Sequence, residues 1–110
     1  MGRDGLLGEL EHQVMLALLR LGDEAYTAPI AEELEARAGR RTTVAAVYIV
    51  LRRLEEKGLV TSTLREAGPD GGRDRRYFEV MPEGMDRLRR ARAAYASLWE
   101  GLDGVLEPGR

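Results

Sequence analysis

The fold turns on one stretch, Thr42-Thr-Val-Ala-Ala-Val-Tyr-Ile-Val-Leu-Arg-Arg-Leu-Glu-Glu-Lys-Gly-Leu-Val60. On a 100° wheel Thr43, Val47, Leu51 and Leu54 fall on one side, with Val44 and Val50 flanking. The pattern predicts a helix that opens at Thr42 or Thr43, buries that side and ends at Gly58. The opposite side holds Thr42, Ala45, Ala46, Ile49, Arg53 and Glu56. Its first half is small and uncharged, Arg40 and Arg41 precede it, and Arg52 and Arg53 follow. Small side chains let a helix lie deep in a DNA major groove, and arginines at its ends can reach backbone phosphates. An amphipathic helix with solvated charges fits the same residues equally well, and it is the hairpin beyond Gly58 that tips the balance.

At Gly58 the hydrophobic period changes from 3.6 to 2. Residues 59–65 (Leu-Val-Thr-Ser-Thr-Leu-Arg) read as a strand, and residues 75–81 (Arg-Arg-Tyr-Phe-Glu-Val-Met) as its return. Between them Gly68-Pro-Asp-Gly-Gly72 is dense in turn residues. This hairpin carries Arg73, Arg75 and Arg76 at or near its tip, as a basic β-wing laid along a sugar–phosphate backbone or into a minor groove would.

Two helices precede this unit. Residues 6–21 place Leu7, Leu10, Val14, Ala17, Leu18 and Leu21 in one stripe and Met15, Leu16 and Leu19 opposite, with Gly22 as C-cap. A helix apolar on both sides needs cover on both, which points to a partner subunit. The second runs from about Ala28 to Ala38, with Thr27 as N-cap, Pro29 in the first turn and Glu32 and Glu33 near the positive helix end. Ile30, Ala31, Leu34 and Ala38 are expected inside, and Gly39 closes it.

The last helix starts at Pro82 and is expected to reach Leu102 or Val105. Leu88, Ala91, Tyr95, Leu98, Leu102 and Val105 repeat at 3-4-3-4-3, the spacing of a coiled-coil seam, with Trp99 beside it. The order is three helices, a hairpin and a helix: an α+β, mostly α, winged helix-turn-helix. The expectation is one domain over residues 1–110, with 1–5 and 107–110 flexible and 82–105 as a dimerisation helix.

The formal charge of −2 hides a segregated distribution. Residues 1–36 carry a net −6, residues 37–92 a net +6, and residues 93–110 a net −2. Only the surface that meets phosphate has to be positive. The chain has no cysteine and a single histidine, His12, which excludes disulfides and thiolate metal sites and leaves no zinc set. No metal or other cofactor is expected, and no catalytic residues. No apolar run is long enough for a membrane span and none reads as a signal peptide, so the expected location is cytoplasmic. His12, on an apolar helix, is expected to be a half-buried interface residue.

Ala25-Tyr26, Ile30-Ala-Glu-Glu-Leu34, Gly39-Arg40, the run Val47 to Val60, Gly71-Gly-Arg73, Tyr77-Phe78 and Pro82-Glu-Gly84 together resemble the PadR family, in order and spacing, over roughly residues 8–102. The resemblance implies a dimeric winged-helix repressor whose first and last helices build the dimer. The single C-terminal helix is similar to the short branch of the family. Some members bind flat aromatic effectors between subunits, which makes Tyr95 and Trp99 the candidate effector contacts here; plain interface packing is the simpler reading of both. Two positions depart from the family pattern. Ile49 replaces a polar residue on the groove-facing side, and Met81 stands where a capping Thr usually precedes Pro, which should weaken that helix start by about 1 kcal/mol.

The expected function is sequence-specific binding of double-stranded DNA as a homodimer on a two-fold operator, with repression of transcription. Arg40, Arg41, Thr42, Thr43, Ala45, Ala46, Tyr48, Ile49, Arg52, Arg53, Arg73, Arg75 and Arg76 form the expected DNA-facing set. Leu7, Leu10, Met15, Leu16, Leu19, Leu88, Ala91, Tyr95, Leu98, Trp99 and Leu102 form the expected dimer interface. The alternative is a winged helix that docks proteins, for which so basic a wing and recognition helix are not required.

Overall fold

A computed structural model describes residues 7–69 and 71–109. The expected helix start at Leu6, the expected flexible residues 1–5, Asp70 of the wing loop and Arg110 lie outside the described residues. Among those described, the elements are α1 (Glu9–Leu21), α2 (Thr27–Ala38), α3 (Val44–Glu56), β1 (Val60–Arg65), β2 (Arg75–Val80) and α4 (Pro82–Trp99), in a mostly helical winged-helix order. A short 3₁₀ turn, Gly22–Glu24, links α1 to α2 and has no counterpart in the sequence pattern.

The boundaries follow local chemistry. The Gly8 N–H donates to the Glu11 carboxylate at 3.0 Å and so closes the first turn of α1. Gly22, at φ 57°, stops the helix. The cap of α2 is Tyr26 and not Thr27, which is already helical. Gly39, at φ 63°, ends α2 in the left-handed conformation, its N–H donating back to the Glu35 carbonyl and the Arg40 N–H to the Leu34 carbonyl. Thr43 caps α3 through its hydroxyl, which accepts the Ala46 N–H at 3.0 Å. It is therefore exposed at the helix start, not on the buried side where the wheel placed it. Met81 caps α4 without a side-chain bond, as expected.

One core joins these elements. Val14, Met15, Ala17 and Leu18 of α1 meet Ile30 and Leu34 of α2, Val47, Val50, Leu51 and Leu54 of α3, and Leu59, Val60, Phe78 and Leu88. The antiparallel strands pair from Val60 with Val80 to Arg65 with Arg75. The Phe78 N–H donates to the Ala25 carbonyl and ties the hairpin to the entry of α2, and the Met81 N–H donates to the Leu59 carbonyl and extends the hairpin ladder to the start of α4, both at 2.9 Å. Gly84 sits over that second junction. A Cβ there would collide with the Leu59 carbonyl oxygen and lie 2.8 Å from Val80 Cγ1 and 2.9 Å from Met15 Cε. The glycine is the condition for α4 to dock on the hairpin.

Several sequence expectations are corrected. Met15 is fully buried in the chain's own core, so the outward face of α1 reduces to Leu16 and Leu19. The wheel misplaced Met15 because its tip packs against Gly84, on an element that the α1 sequence cannot foresee. Leu88 is likewise a core residue. Ala38 is exposed, since α2 has run past the core by its last turn. Val44, expected to flank the buried side, is 47% exposed. α4 ends at Trp99, before Leu102 and Val105: Gly101 and Gly104 adopt φ of 81° and 85°, and residues beyond the helix form turns. The 3-4-3-4-3 spacing survives in sequence but not as one helical seam past Trp99.

The body is elongated. Its radius of gyration is 16.3 Å, against about 13 Å for a compact domain of this length. Beyond Ala91 every residue of α4 is exposed, and among the described residues no helix is long and apolar enough to cross a membrane.

Candidate nucleic-acid interface

The outward stripe of α3 consists of Val44, Ala45, Tyr48, Ile49 and Arg52, spaced as successive helical turns. All five are exposed, Ile49 by 52%. The capping requirement and the buried Val47, Val50, Leu51 and Leu54 leave no other orientation for them. Ala46 is half-buried behind this stripe and Thr42 half-buried ahead of it. The stripe's edge, Val44 and Tyr48, faces the wing across a groove of about 340 Å³, lined with them by Tyr26, Thr27 and Ala28 on one side and by residues 73–76 and Phe78 on the other, while Ala45, Ile49 and Arg52 lie outside that lining. The structure thus brings Tyr48, Arg73, Arg75 and Arg76 from the expected set to one opening.

Each arginine has a distinct setting. Arg76 donates to the Ser62 hydroxyl at 3.1 Å, and Ser62 donates to Glu55 of α3 at 2.8 Å. Arg52 lies 3.7 Å from the same Glu55 carboxylate and donates to the Tyr48 hydroxyl at 3.1 Å. Wing and recognition helix are therefore braced through one serine and one carboxylate. Arg41 is almost fully exposed, with Glu35 3.6 Å away, and Arg53 and Arg73 project into solvent. Arg40 is turned the other way. Its guanidinium donates to Gln13 at 2.7 Å and Glu9 at 3.0 Å on α1, so it stitches the α2–α3 link to the body instead of standing at the start of α3. Lys57 at the far end of α3 does the same with Glu11, at 2.7 Å. Burial raises the Glu11 pKa, but the Lys57 bond, the Gly8 N–H and the nearby cations outweigh it and hold the carboxyl below its ordinary 4.5.

The register puts Arg65 and Arg75 directly opposite one another on the wing, a like-charge pairing that costs stability unless offset. The offset is aromatic. The Arg65 guanidinium stands 3.8 Å from the Tyr77 ring centre and Arg75 4.4 Å from that of Tyr26, while Tyr26 and Tyr77 meet edge to face at 5.3 Å. Stacking holds a guanidinium by its face and leaves its edge N–H groups to donate. Tyr26, Tyr77 and Arg65 were missed from sequence. Alternation along the hairpin does place Tyr77 beside Arg75 and Arg65, but Tyr26 arrives from α2 through the Ala25–Phe78 backbone bond, which has no local signal. The wing tip is closed by Asp74, which accepts the Ala67 N–H at 2.8 Å, and by Gly71 and Gly72 at positive φ.

The expected dimer residues divide. Met15 and Leu88 belong to the core, Leu7 and Leu10 are half-buried against it, and Ala91 is half-buried. Leu16, Leu19, Tyr95, Leu98, Trp99 and Leu102 are exposed, Leu98 by 71%. His12 stacks toward Tyr95 with ring centres 6.4 Å apart, which sets α4 beside α1 at this level.

The family model that matches, over residues 15–90, is the transcriptional regulator PadR-like family. Among solved structures the chain is similar to a PadR family transcriptional regulator from Eggerthella lenta. The two share 32% identity and a TM-score of 0.64, over 91% of this chain and 88% of that one. A Streptococcus transcriptional regulator shares 30% identity over 87% of this chain and 90% of that one, with TM-score 0.63. A PadR family regulator from Clostridium difficile superposes with TM-score 0.70 at 24% identity, over 83% and 91% of the two chains. No curated protein matches the chain.

Proposed function

The chain belongs to the PadR-like family of transcriptional regulators, a family of regulators and not of enzymes, and on that premise we propose that it binds double-stranded DNA sequence-specifically as a homodimer and represses transcription from a two-fold operator. The observation that carries this reading is the shared opening between α3 and the wing. It joins an uncharged helix face narrow enough to enter a major groove to a bank of arginines set for phosphate. Arg52, Arg53, Arg73, Arg75 and Arg76 act as the phosphate contacts, Arg41 adds one at the helix start, Thr42, Thr43, Ala45, Tyr48 and Ile49 lie toward the bases, and Ala46 backs them from behind the stripe. Arg40 serves the fold.

Dimerisation is supported by the exposed Leu16 and Leu19 on α1 and Tyr95, Leu98 and Trp99 on α4. A second copy covering them would present two recognition helices to half-sites about one helical turn apart, or a multiple of it. Tyr95 and Trp99 pack in that seam. A flat aromatic effector held between subunits would stack on the same two rings, and quenching of Trp99, the single tryptophan, would report it.

The test is selection of duplexes from random sequence, followed by anisotropy titration across salt and sedimentation of the free protein. Affinity should fall steeply with salt, because several condensed counterions are released on binding, and the protein should sediment as a dimer. Binding indifferent to salt, or no sequence selected, would overturn the DNA reading. A monomer at micromolar concentration would overturn the dimer.

A further inference from the structure

The outward stripe of α3 differs from what base recognition by hydrogen bonding requires. Across its first two turns, Val44 to Leu51, the exposed side chains are Val44, Ala45, Tyr48 and Ile49. None carries an amide, a carboxylate or a cation, the groups that pair in bidentate fashion with adenine, cytosine or guanine edges. Of the two hydroxyls nearest the stripe, Thr43 accepts the Ala46 N–H at 3.0 Å and Tyr48 accepts from Arg52 at 3.1 Å, which leaves each a single O–H to donate and no bidentate pair. Apart from that O–H of Tyr48, the outward surface of these turns is carbon, with Val44 47% and Ile49 52% exposed. Around it stand cations, Arg52 and Arg53 one turn on and Arg73 and Arg75 across the groove.

A major groove offers one apolar group at the base edges, the C5 methyl of thymine. We propose that the outward face of α3 reads thymine by its methyl group, with Ile49 as the main specificity-determining residue and Val44 and Ala45 completing the apolar contact. The inference rests on the DNA-binding reading above and deepens it. The arginine frame selects a polyanion over a protein partner, and the absence of any bidentate group on these two turns favours the methyl over the base edges that are read by paired hydrogen bonds. Ala45, having no side chain beyond Cβ, lets the helix seat deeply enough for Ile49 to reach the base. Adenine and guanine positions in the operator are then distinguished by the arginines at the helix end or by DNA shape, and not by these turns.

The experiment uses the full chain and a duplex it has selected from random sequence. Each thymine is replaced singly by deoxyuridine, which removes only the methyl, and affinity is measured by anisotropy at fixed salt. At least one thymine in each half-site should lose about fourfold per methyl, the worth of one buried carbon of that size, with losses compounding when both half-sites are changed. In Ile49→Ala the thymine–uracil difference at that position should disappear while the uracil duplex binds about as it does to the wild type. Ile49 is exposed, so this variant keeps its fold, which circular dichroism checks. Wild-type protein that selects an operator but tolerates uracil at every position overturns the inference alone. An Ile49→Ala variant that keeps the full thymine preference overturns the assignment to Ile49. Failure of the wild type to select any duplex overturns both this inference and the function it rests on.

Discussion

Two surfaces of the molecule expose apolar side chains to a similar degree, and they differ in their electrostatic frame. On α3 the stripe Val44, Ala45, Tyr48 and Ile49 is bordered by Arg52, Arg53, Arg73 and Arg75. On α4 the residues from Ala93 to Trp99 are framed by charges of both signs, Arg89, Arg90 and Arg92 before and Glu100 and Asp103 after, while Tyr95, Leu98 and Trp99 are more than half exposed. Apolar area is non-directional, and at roughly 25 cal/mol per Å² it favours any cover. The surrounding charge decides which cover is tolerated. A polyanion satisfies the arginine frame around α3, and a second α4, which carries both signs itself, suits the mixed frame at the end of the helix. Hydrophobicity alone does not separate the proposed DNA-reading face from the proposed assembly face; the sign balance of the surrounding charge does.

The contrast can be broken most severely on α3. Ala45→Glu places a carboxylate among the phosphates and base edges and should reduce affinity for the selected duplex by at least about 1,000-fold, the span between specific and non-specific binding. Sedimentation should be unchanged. Loss of the dimer in this variant would mean that the two surfaces are not independent.

At the root of α4, Gly84→Ala forces a Cβ onto the Leu59 carbonyl and should destabilise the fold by about 3 kcal/mol in urea unfolding. A change below about 1 kcal/mol would show that α4 docks loosely and that its outer half is not held in place by its inner one. Further along, Leu98→Glu faces two like charges across a dimer seam and should weaken self-association on the order of 100-fold. DNA affinity should fall with it although no DNA-facing residue is altered. A variant that still sediments as a dimer and binds normally would remove Leu98 from the seam.

Tyr26→Leu tests whether the aromatic rings hold the wing arginines. It should weaken binding to all duplexes alike, by about fivefold, with a shallower salt slope, as expected when a phosphate contact is lost and base reading is not. Tyr26→Phe should restore both. The smallest effect concerns the Glu11–Lys57 tie that anchors the far end of α3. Because the Glu11 pKa is lowered in the fold, its contribution is present above the ordinary value of 4.5 and is lost as pH falls through the lower folded value. Lys57 is half exposed, so the contribution is under about 1 kcal/mol. Glu11→Gln should lower stability at neutral pH by that amount, leave stability at low pH nearly as it was, and so flatten the acid limb.

Periodicity and turn chemistry were enough to read four helices and a hairpin in order, because a 3.6-residue stripe, a period of 2 and glycines at helix ends are each set by residues close in sequence. Gly22, Gly39 and Thr43 mark their boundaries for that reason. The arginine-rich middle and the small outward face of α3 are equally local. What the sequence could not decide is which side chains the neighbours consume. Met15 looks outward on a wheel, yet its tip is buried against Gly84, sixty-nine residues later. Arg40 looks like a phosphate contact and is taken by Glu9 and Gln13 across the α1 surface. Arg75 looks like a free wing charge and is stacked on Tyr26 of a different element. The heptad spacing past Trp99 looks continuous, yet the backbone of Gly101 and Gly104 takes positive φ and ends the helix. Local sequence determines what each segment is, since its hydrogen bonds close within a few residues; only the tertiary structure determines which of its side chains are left over for function, since burial and ion pairing depend on residues brought from far along the chain.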